Sequence, residues 1–485
     1  MENILKGLKP ENVFMNFESL TRIPRESGNE SGIADFLVDF ANGLGLQVTK
    51  EPSNNVIIKK PATKGYENGP TVILQGHTDM VCVKLDELSF DFLKEPIPLV
   101  VEGDFVKTKG TTLGADNGIA VAMAMSILES TTLEHPPIVA LFTVAEETGM
   151  DGVVSLNPEN VKGDILINID SEEEGTLLAS CAGGVNNIVE YPYTTTDSKF
   201  DRALKIIIQG LNGGHSGIEI NKNRANAIKL LGRTLALLSE QYDYAVSTIN
   251  GGEKMNAIAK RAEMTIAVAS ENIESIKNRV KEIETVFKNE FMVADPNIQI
   301  TVSETEKPLK VMTEQSKIDI TNIIRLTPFG VQTMSGGIEG LVESSSNLGV
   351  LTQEADYVKF TSAVRSSVRS LKDEINDRIK IISQITGSKN YLISNYPEWE
   401  FKLESPIREL MKSVYQDMFG KALKVDAIHA GLECGFLKEK VGDIDMISLG
   451  PNLFDVHTPF EKLSISSTER TYNFLCEVLK NLKQK

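Results

Sequence analysis

The sequence predicts an α/β unit with a central mixed sheet flanked by helices, interrupted by an inserted α+β domain. Three observations predict it. Helical and strand patterns alternate over the first 185 residues and again from 396 to 485. Three strands of the first stretch end in histidine or carboxylate side chains, and open α/β sheets place their ligands beyond such carboxyl ends. Between 186 and 395 the order β-α-β-β-α-β occurs twice, the split βαβ arrangement, so two ferredoxin-like repeats are expected there.

In chain order, residues 10–20 and 31–44 read as helices, the second with Ile33, Phe36, Leu37 and Phe40 at helical spacing. Short strands follow at 47–49 and 56–59, then a polar turn through Gly69-Pro70. The apolar run Val72-Ile73-Leu74 reads as a buried strand, and it leads through Gly76 to His77 and Asp79. These two are spaced to share one face of an extended chain. Leu113-Gly114-Ala115-Asp116-Asn117-Gly118 opens a helix of small residues to Glu129, with Asp116 where a capping residue would stand. A strand at 138–144 ends in Glu146-Glu147-Thr148-Gly149. Adjacent residues on a regular strand point to opposite sides, so both glutamates serve one site only if the strand bends there. A strand at 164–169 ends in Asp170. Carboxylates gathered at one sheet edge repel one another unless cations neutralise them, so the pattern predicts a metal site.

In the insert, the first repeat runs strand 203–211, helix 224–239, strands 244–250 and 262–269, helix 271–289 and strand 298–302. The second runs strand 308–312, helix 314–326, strands 341–352 and 357–364, helix 371–385 and strand 390–393. Asn395-Tyr396-Pro397-Glu398-Trp399 reads as a linker back to the first domain. A helix at 406–419, a strand at 446–449 and a closing helix at 467–480 complete the chain.

Composition narrows the classes. A length of 485 residues calls for two or three domains, and 41% hydrophobic residues suit a soluble globular protein. A formal net charge of −17 argues against nucleic acid or an anionic membrane as partner. The four cysteines are scattered, which fits reduced thiols in a cytosol. The start shows no signal-peptide pattern and no apolar run reaches the ~20 residues of a membrane span, so a cytoplasmic protein is expected.

In order along the chain, Gly76-His77-Thr78-Asp79, Gly114-Ala115-Asp116-Asn117-Gly118, Glu146-Glu147-Thr148-Gly149, Asp170 and Val456-His457-Thr458-Pro459 resemble the co-catalytic zinc peptidase family of peptidase T and carnosinase. The runs Asp170–Gly175 and His429–Gly435 resemble its subgroup that cleaves Xaa-His dipeptides. The resemblance implies a dipeptidase with two Zn2+ per chain, Co2+ or Mn2+ being alternatives, and a small peptide as substrate. It implies that His77 and Asp170 bind one metal, Glu147 and His457 the other, and that Asp116 bridges both. Asp79 would orient His77, and Glu146 would be the general base acting on a water held between the metals. The insert would be the lid. Its His215, in Gly210–Gly217, would stabilise the oxyanion, and Arg365, with Arg369 as alternative, would clamp the substrate carboxylate. Asn256 would lie near that carboxylate, and Gly431 would offer backbone contacts. His429 and Glu433 receive no role. In single-lid relatives a partner subunit brings the lid histidine, whereas a doubled lid could supply it within one chain; a homodimer is the expectation. A tripeptidase, an N-acyl-amino-acid deacylase and a non-catalytic binding relative are the competing readings.

Overall fold

The computed structural model describes residues 3–484. The chain separates into two compact units. One comprises the described residues of Met1–Ser180 and Leu432–Lys485 together with Phe401–Ala427; the other comprises Cys181–Glu400 and Ile428–Gly431.

The first unit is built on an eight-stranded mixed sheet. Its strand order is Gln47–Lys50, Val56–Lys60, Ile138–Thr143, Val72–His77, Ile165–Asn168, Asp445–Ser448, Thr176–Cys181 and Lys424–Ile428. The four central strands are parallel, and the three that carry the predicted ligands are immediate neighbours. Val72–His77 is buried along its whole length, as expected of a parallel strand covered on both faces. The helix Ala115–Glu129 packs against it and is buried nearly all round, which its run of Ala, Met and Ile allows. Gly76 permits the approach, because a Cβ there would lie 2.7 Å from the Cβ of Ala120.

The second unit is one long antiparallel sheet backed by helices. Its main path is β1 Gly183–Tyr191, β2 Arg202–Gln209, β3 Tyr244–Gly251, β4 Ala262–Val268, β5 Gln299–Thr305, β6 Val342–Gln353, β7 Val358–Ser366 and β8 Lys389–Tyr396, in spatial order β5-β2-β4-β3-β6-β7-β1-β8, and a ninth strand, Gly330–Met334, pairs with β6 off that path. The helices Ala227–Ser239 and Ile273–Glu290 belong to the first half, Glu314–Leu326 and Arg369–Thr386 to the second. The two halves mirror each other about the β3–β6 junction.

That order corrects the expected second repeat. Its first strand is β1, which precedes the first repeat in the chain. The 308–312 segment forms only Lys310–Met312, paired with Thr195–Asp197 in a separate two-stranded ribbon. A three-residue strand cannot span the sheet, whereas the nine residues of β1 pair fully with β7. Two further corrections bear on function. Glu146 and Glu147 stand on a single helical turn, Glu146–Gly149, because Ala145 adopts a left-handed φ of 53° and ends the strand. Tyr396 is the last residue of β8 and Trp399 is buried, so 395–399 is not a free linker.

Candidate active site

The first unit gathers seven of the predicted side chains at the carboxyl ends of three neighbouring strands. His77 ends its strand fully buried. Its Nδ1 lies 3.3 Å from Asp79 Oδ1, and its Nε2 lies 3.2 Å from Asp116 Oδ1 and 3.5 Å from Asp170 Oδ1. The other oxygen of Asp116 lies 3.0 Å from His457 Nε2, which is also 3.0 Å from Glu147 Oε1. One carboxylate thus joins two imidazoles, each with a second carboxylate of its own. Donor atoms of His77, Asp116 and Asp170, and of Asp116, Glu147 and His457, lie within 4.8 Å of one another, as do those of His77, Glu146 and Glu147.

Asp79 does more than face His77. Its carboxylate accepts the backbone N–H groups of Glu146 and Glu147, each at 3.2 Å, and the Ser27 hydroxyl at 2.7 Å. Burial works against its charge, yet the His77 ring and these donors hold it down to about 2. It therefore ties the histidine to the turn that carries both glutamates.

Asp116 sits where the helix Ala115–Glu129 is irregular, and it makes no cap bond; the histidines engage its side chain instead. The loop is held from two sides. Glu461 accepts the four backbone N–H groups of Leu113, Gly114, Ala115 and Asp116 at 2.8–3.2 Å. Arg25, fully buried, donates to the carbonyls of Gly114 and, at 2.9 Å, of Thr78. Asn117 accepts the His77 N–H and donates to the Ile169 carbonyl, linking two strand ends.

The electrostatics are those of crowded acids. Burial pushes Asp170 up to about 6, with His77 opposing and Asp116 and Glu147 adding to the rise. Glu146 is pushed up to about 9 by burial, against His77 and with Asp170, Glu433 and Glu147. Bonds to Asp116 and Glu147 lift His457 to about 10. Cations invert this logic, because a divalent ion among these oxygens returns the acids to their charged forms. Two imidazole nitrogens and several carboxylate oxygens within a few ångströms are a donor set that fits zinc-type ions. The Glu146 carboxylate has no hydrogen-bond donor among the described residues. Glu433 lies beneath, fully buried, and accepts from Gln75 at 2.6 Å and Thr143 at 2.8 Å; burial pushes it up to about 7.

The second unit assembles the remaining predicted residues on its own. His215 pairs with Ala257, and the Ser216 N–H donates to the Asn256 carbonyl, so these two loops are joined. Nδ1 of His215 accepts the N–H groups of Gly217 and Ile218, each at 3.2 Å, which leaves the hydrogen of a neutral ring on Nε2. Burial and Arg365 lower its pKa, with Glu219 opposing. Arg365 donates to the Tyr396 hydroxyl at 2.6 Å, and Gly431 lies against the Tyr396 ring. Arg369, the alternative clamp, is bound through Nε to Glu398 at 2.7 Å. His429 is buried with Nε2 2.7 Å from the Ser345 hydroxyl.

Sequence reasoning missed Arg25, Ser27, Glu461 and Tyr396. Glu461 ends the His457-Thr458-Pro459-Phe460-Glu461 run, so its nearness to the expected ligand His457 was a usable signal; Arg25 and Ser27 carried none.

Comparison with known proteins gives consistent results. A model described as a peptidase dimerisation domain matches residues 206–294. The chain is 36% identical to the cytosol non-specific dipeptidase of Escherichia coli, with 99% of each chain covered. The crystal structure of aminoacylhistidine dipeptidase from Vibrio alginolyticus matches with a TM-score of 0.96 and 33% identity, over 99% of this chain and 98% of that one. Aminopeptidase PepT from Bacillus cereus, at 14% identity and a TM-score of 0.57, covers 98% of this chain and 100% of its own and shares the fold.

Proposed function

The chain belongs to the M20 peptidase family that includes these dipeptidases, and we propose that it is a cytoplasmic, metal-dependent dipeptidase with two zinc ions. The observation that carries the reading is the Asp116 carboxylate shared between His77 and His457, with Glu146 uncommitted beside it. Xaa-His dipeptides are the preferred substrates and other dipeptides are tolerated. The two relatives support this, since one is named for aminoacylhistidine and the other as non-specific. The match to a peptidase dimerisation domain supports a homodimer.

His77, Asp170 and Asp116 would hold one ion, and Glu147, His457 and Asp116 the other. When bound, the pair supplies Lewis acidity that polarises the scissile carbonyl and eases deprotonation of the attacking water. Glu146 takes that proton and delivers it to the leaving amine. Asp79 keeps the His77 ring turned toward the cluster. His215 donates from Nε2 to the oxyanion. Arg365 and Asn256 take the carboxylate of the C-terminal residue.

Hydrolysis of carnosine, Ala-His, Ala-Leu and Ala-Ala-Ala by wild type and Glu146→Ala tests the reading. Wild type is expected to cleave the dipeptides, fastest with histidine second. The variant keeps its metal and loses ~10²-fold or more in kcat. Ala-Ala-Ala as best substrate makes the protein a tripeptidase, and undiminished turnover by the variant removes Glu146 from the base role. Metal analysis of the purified protein, with zinc, cobalt and manganese reconstitution, identifies the ions.

A further inference from the structure

Register sets four residues of the second unit side by side. Ser345 of β6 faces Arg365 of β7, Arg365 faces Gly184 of β1, and Gly184 faces Tyr396 of β8. Directly opposed residues share a sheet face. Val364 and Val185, one residue along, enter the core under the helices, so this row lies on the opposite face.

Gly184 is the gap in the row. A Cβ on it would stand 2.4 Å from the Tyr396 hydroxyl, so the tyrosine lies across β1 in the space a side chain would fill. Gly431 closes on the ring from elsewhere, and a Cβ there would come within 2.9 Å of it. The pairing of β8 with β1 is irregular between Ile393 and Tyr396, with Ser394 at φ 54°, and such an irregularity re-aims the residue that follows. The chain has thus given up two side chains and one regular stretch of strand to put this hydroxyl against Arg365.

The hydroxyl oxygen accepts from Arg365 Nη1 at 2.6 Å, which leaves the phenolic hydrogen free for another acceptor. Arg365 has no acidic partner among the described residues, and its enclosed Nε has no acceptor among them. The neighbouring groups supply no counter-charge. His429 is driven down to about 3 by burial and by Arg365, and Glu398 is bound to Lys372 and Arg369. A guanidinium held at one nitrogen, with its other donors uncommitted, is set for an anion.

We infer that Tyr396 is a specificity-determining residue that orients Arg365 and donates its O–H to the carboxylate of the dipeptide's C-terminal residue. This rests on the dipeptidase reading, in which Arg365 takes that carboxylate. Burial raises the Tyr396 pKa while Arg365 opposes, so the hydroxyl keeps its proton at neutral pH.

The test compares Ala-Leu with Ala-Leu-amide in wild type, Tyr396→Phe, Gly184→Ala and Arg365→Lys. Tyr396→Phe keeps the ring and loses one hydrogen bond to a charged group. Its KM for Ala-Leu is expected to rise ~10-fold with little change in kcat, narrowing the preference for acid over amide by that factor. Gly184→Ala narrows the same preference with the hydroxyl still present, because the ring is displaced. If Tyr396→Phe keeps the full preference while Arg365→Lys abolishes it, Tyr396 has no such role and the arginine reading survives. If neither variant alters the preference, both assignments fall. A wild type that hydrolyses no dipeptide removes the premise.

Discussion

At the residue scale, His429 shows how enclosure sets the charge state of one side chain. It is enclosed in the second unit with Ser345 on Nε2. Burial first, then Arg365 and His215, lower its pKa to about 3, with a backbone bond opposing. An unfolded histidine titrates near 6.5, so between pH ~6.5 and ~3 the unfolded chain binds a proton the folded chain refuses. Stability contributed by the neutral ring is therefore present above pH ~6.5 and lost as the pH falls toward 3, at up to roughly 1.4 kcal/mol per pH unit. Trp399, the one tryptophan, is buried in the same unit and reports its unfolding. Urea midpoints by tryptophan fluorescence should fall more steeply between pH 6.5 and 4.5 in wild type than in His429→Gln. Parallel curves would show that the ring is protonated without cost. None of this is legible in sequence, where His429 is one residue of a motif. A histidine's pKa depends on what encloses it, and Ser345 and Arg365 are 84 and 64 positions away.

At the scale of elements, the loops that enter the helix Ala115–Glu129 and follow the strand Val72–His77 do the positioning. The strand-end groups were legible because each follows an apolar run that reads as a strand. The bend that brings Glu146 and Glu147 together was anticipated, but as a bent strand. The structure uses a helical turn, whose free N–H groups give Asp79 something to hold. Of the clamp on the Asp116 loop, only Glu461 left a trace in the sequence, four residues after His457; Arg25 stands far from both. Glu461→Gln replaces a carboxylate that accepts four N–H bonds by an amide whose own N–H groups face those donors. Each buried donor left without an acceptor costs about 1–3 kcal/mol. The variant is expected to melt earlier and to release metal at lower chelator concentration, because Asp116 is no longer fixed between His77 and His457. Equal metal retention by variant and wild type would mean that the loop is held by other contacts.

At the scale of the molecule, charge links metal to stability. The first unit concentrates Asp116, Glu146, Glu147 and Asp170 beside two histidines, and cations that bind only the folded arrangement stabilise it by mass action. At free metal a hundredfold above Kd the gain is about 2.7 kcal/mol. Calorimetry with EDTA should lower the transition of this unit and excess zinc should raise it. The Trp399 fluorescence transition of the other unit should move less. A melt indifferent to both would mean that the acids tolerate one another unaided.

The sequence by itself determined the alternation of helix and strand in the first unit, the histidine and carboxylate groups at its strand ends, and the family. Each rests on local periodicity or on short motifs whose spacing survives in the linear chain. Only the tertiary structure decided that β1 completes the second repeat, that 308–312 stays outside the main sheet, and that Tyr396 meets Arg365. Those outcomes depend on which strands pair and in what register. Pairing is settled by burial and hydrogen bonding summed over whole strands, so residues as distant as Gly184, Arg365 and Tyr396 acquire a shared role only once the sheet exists.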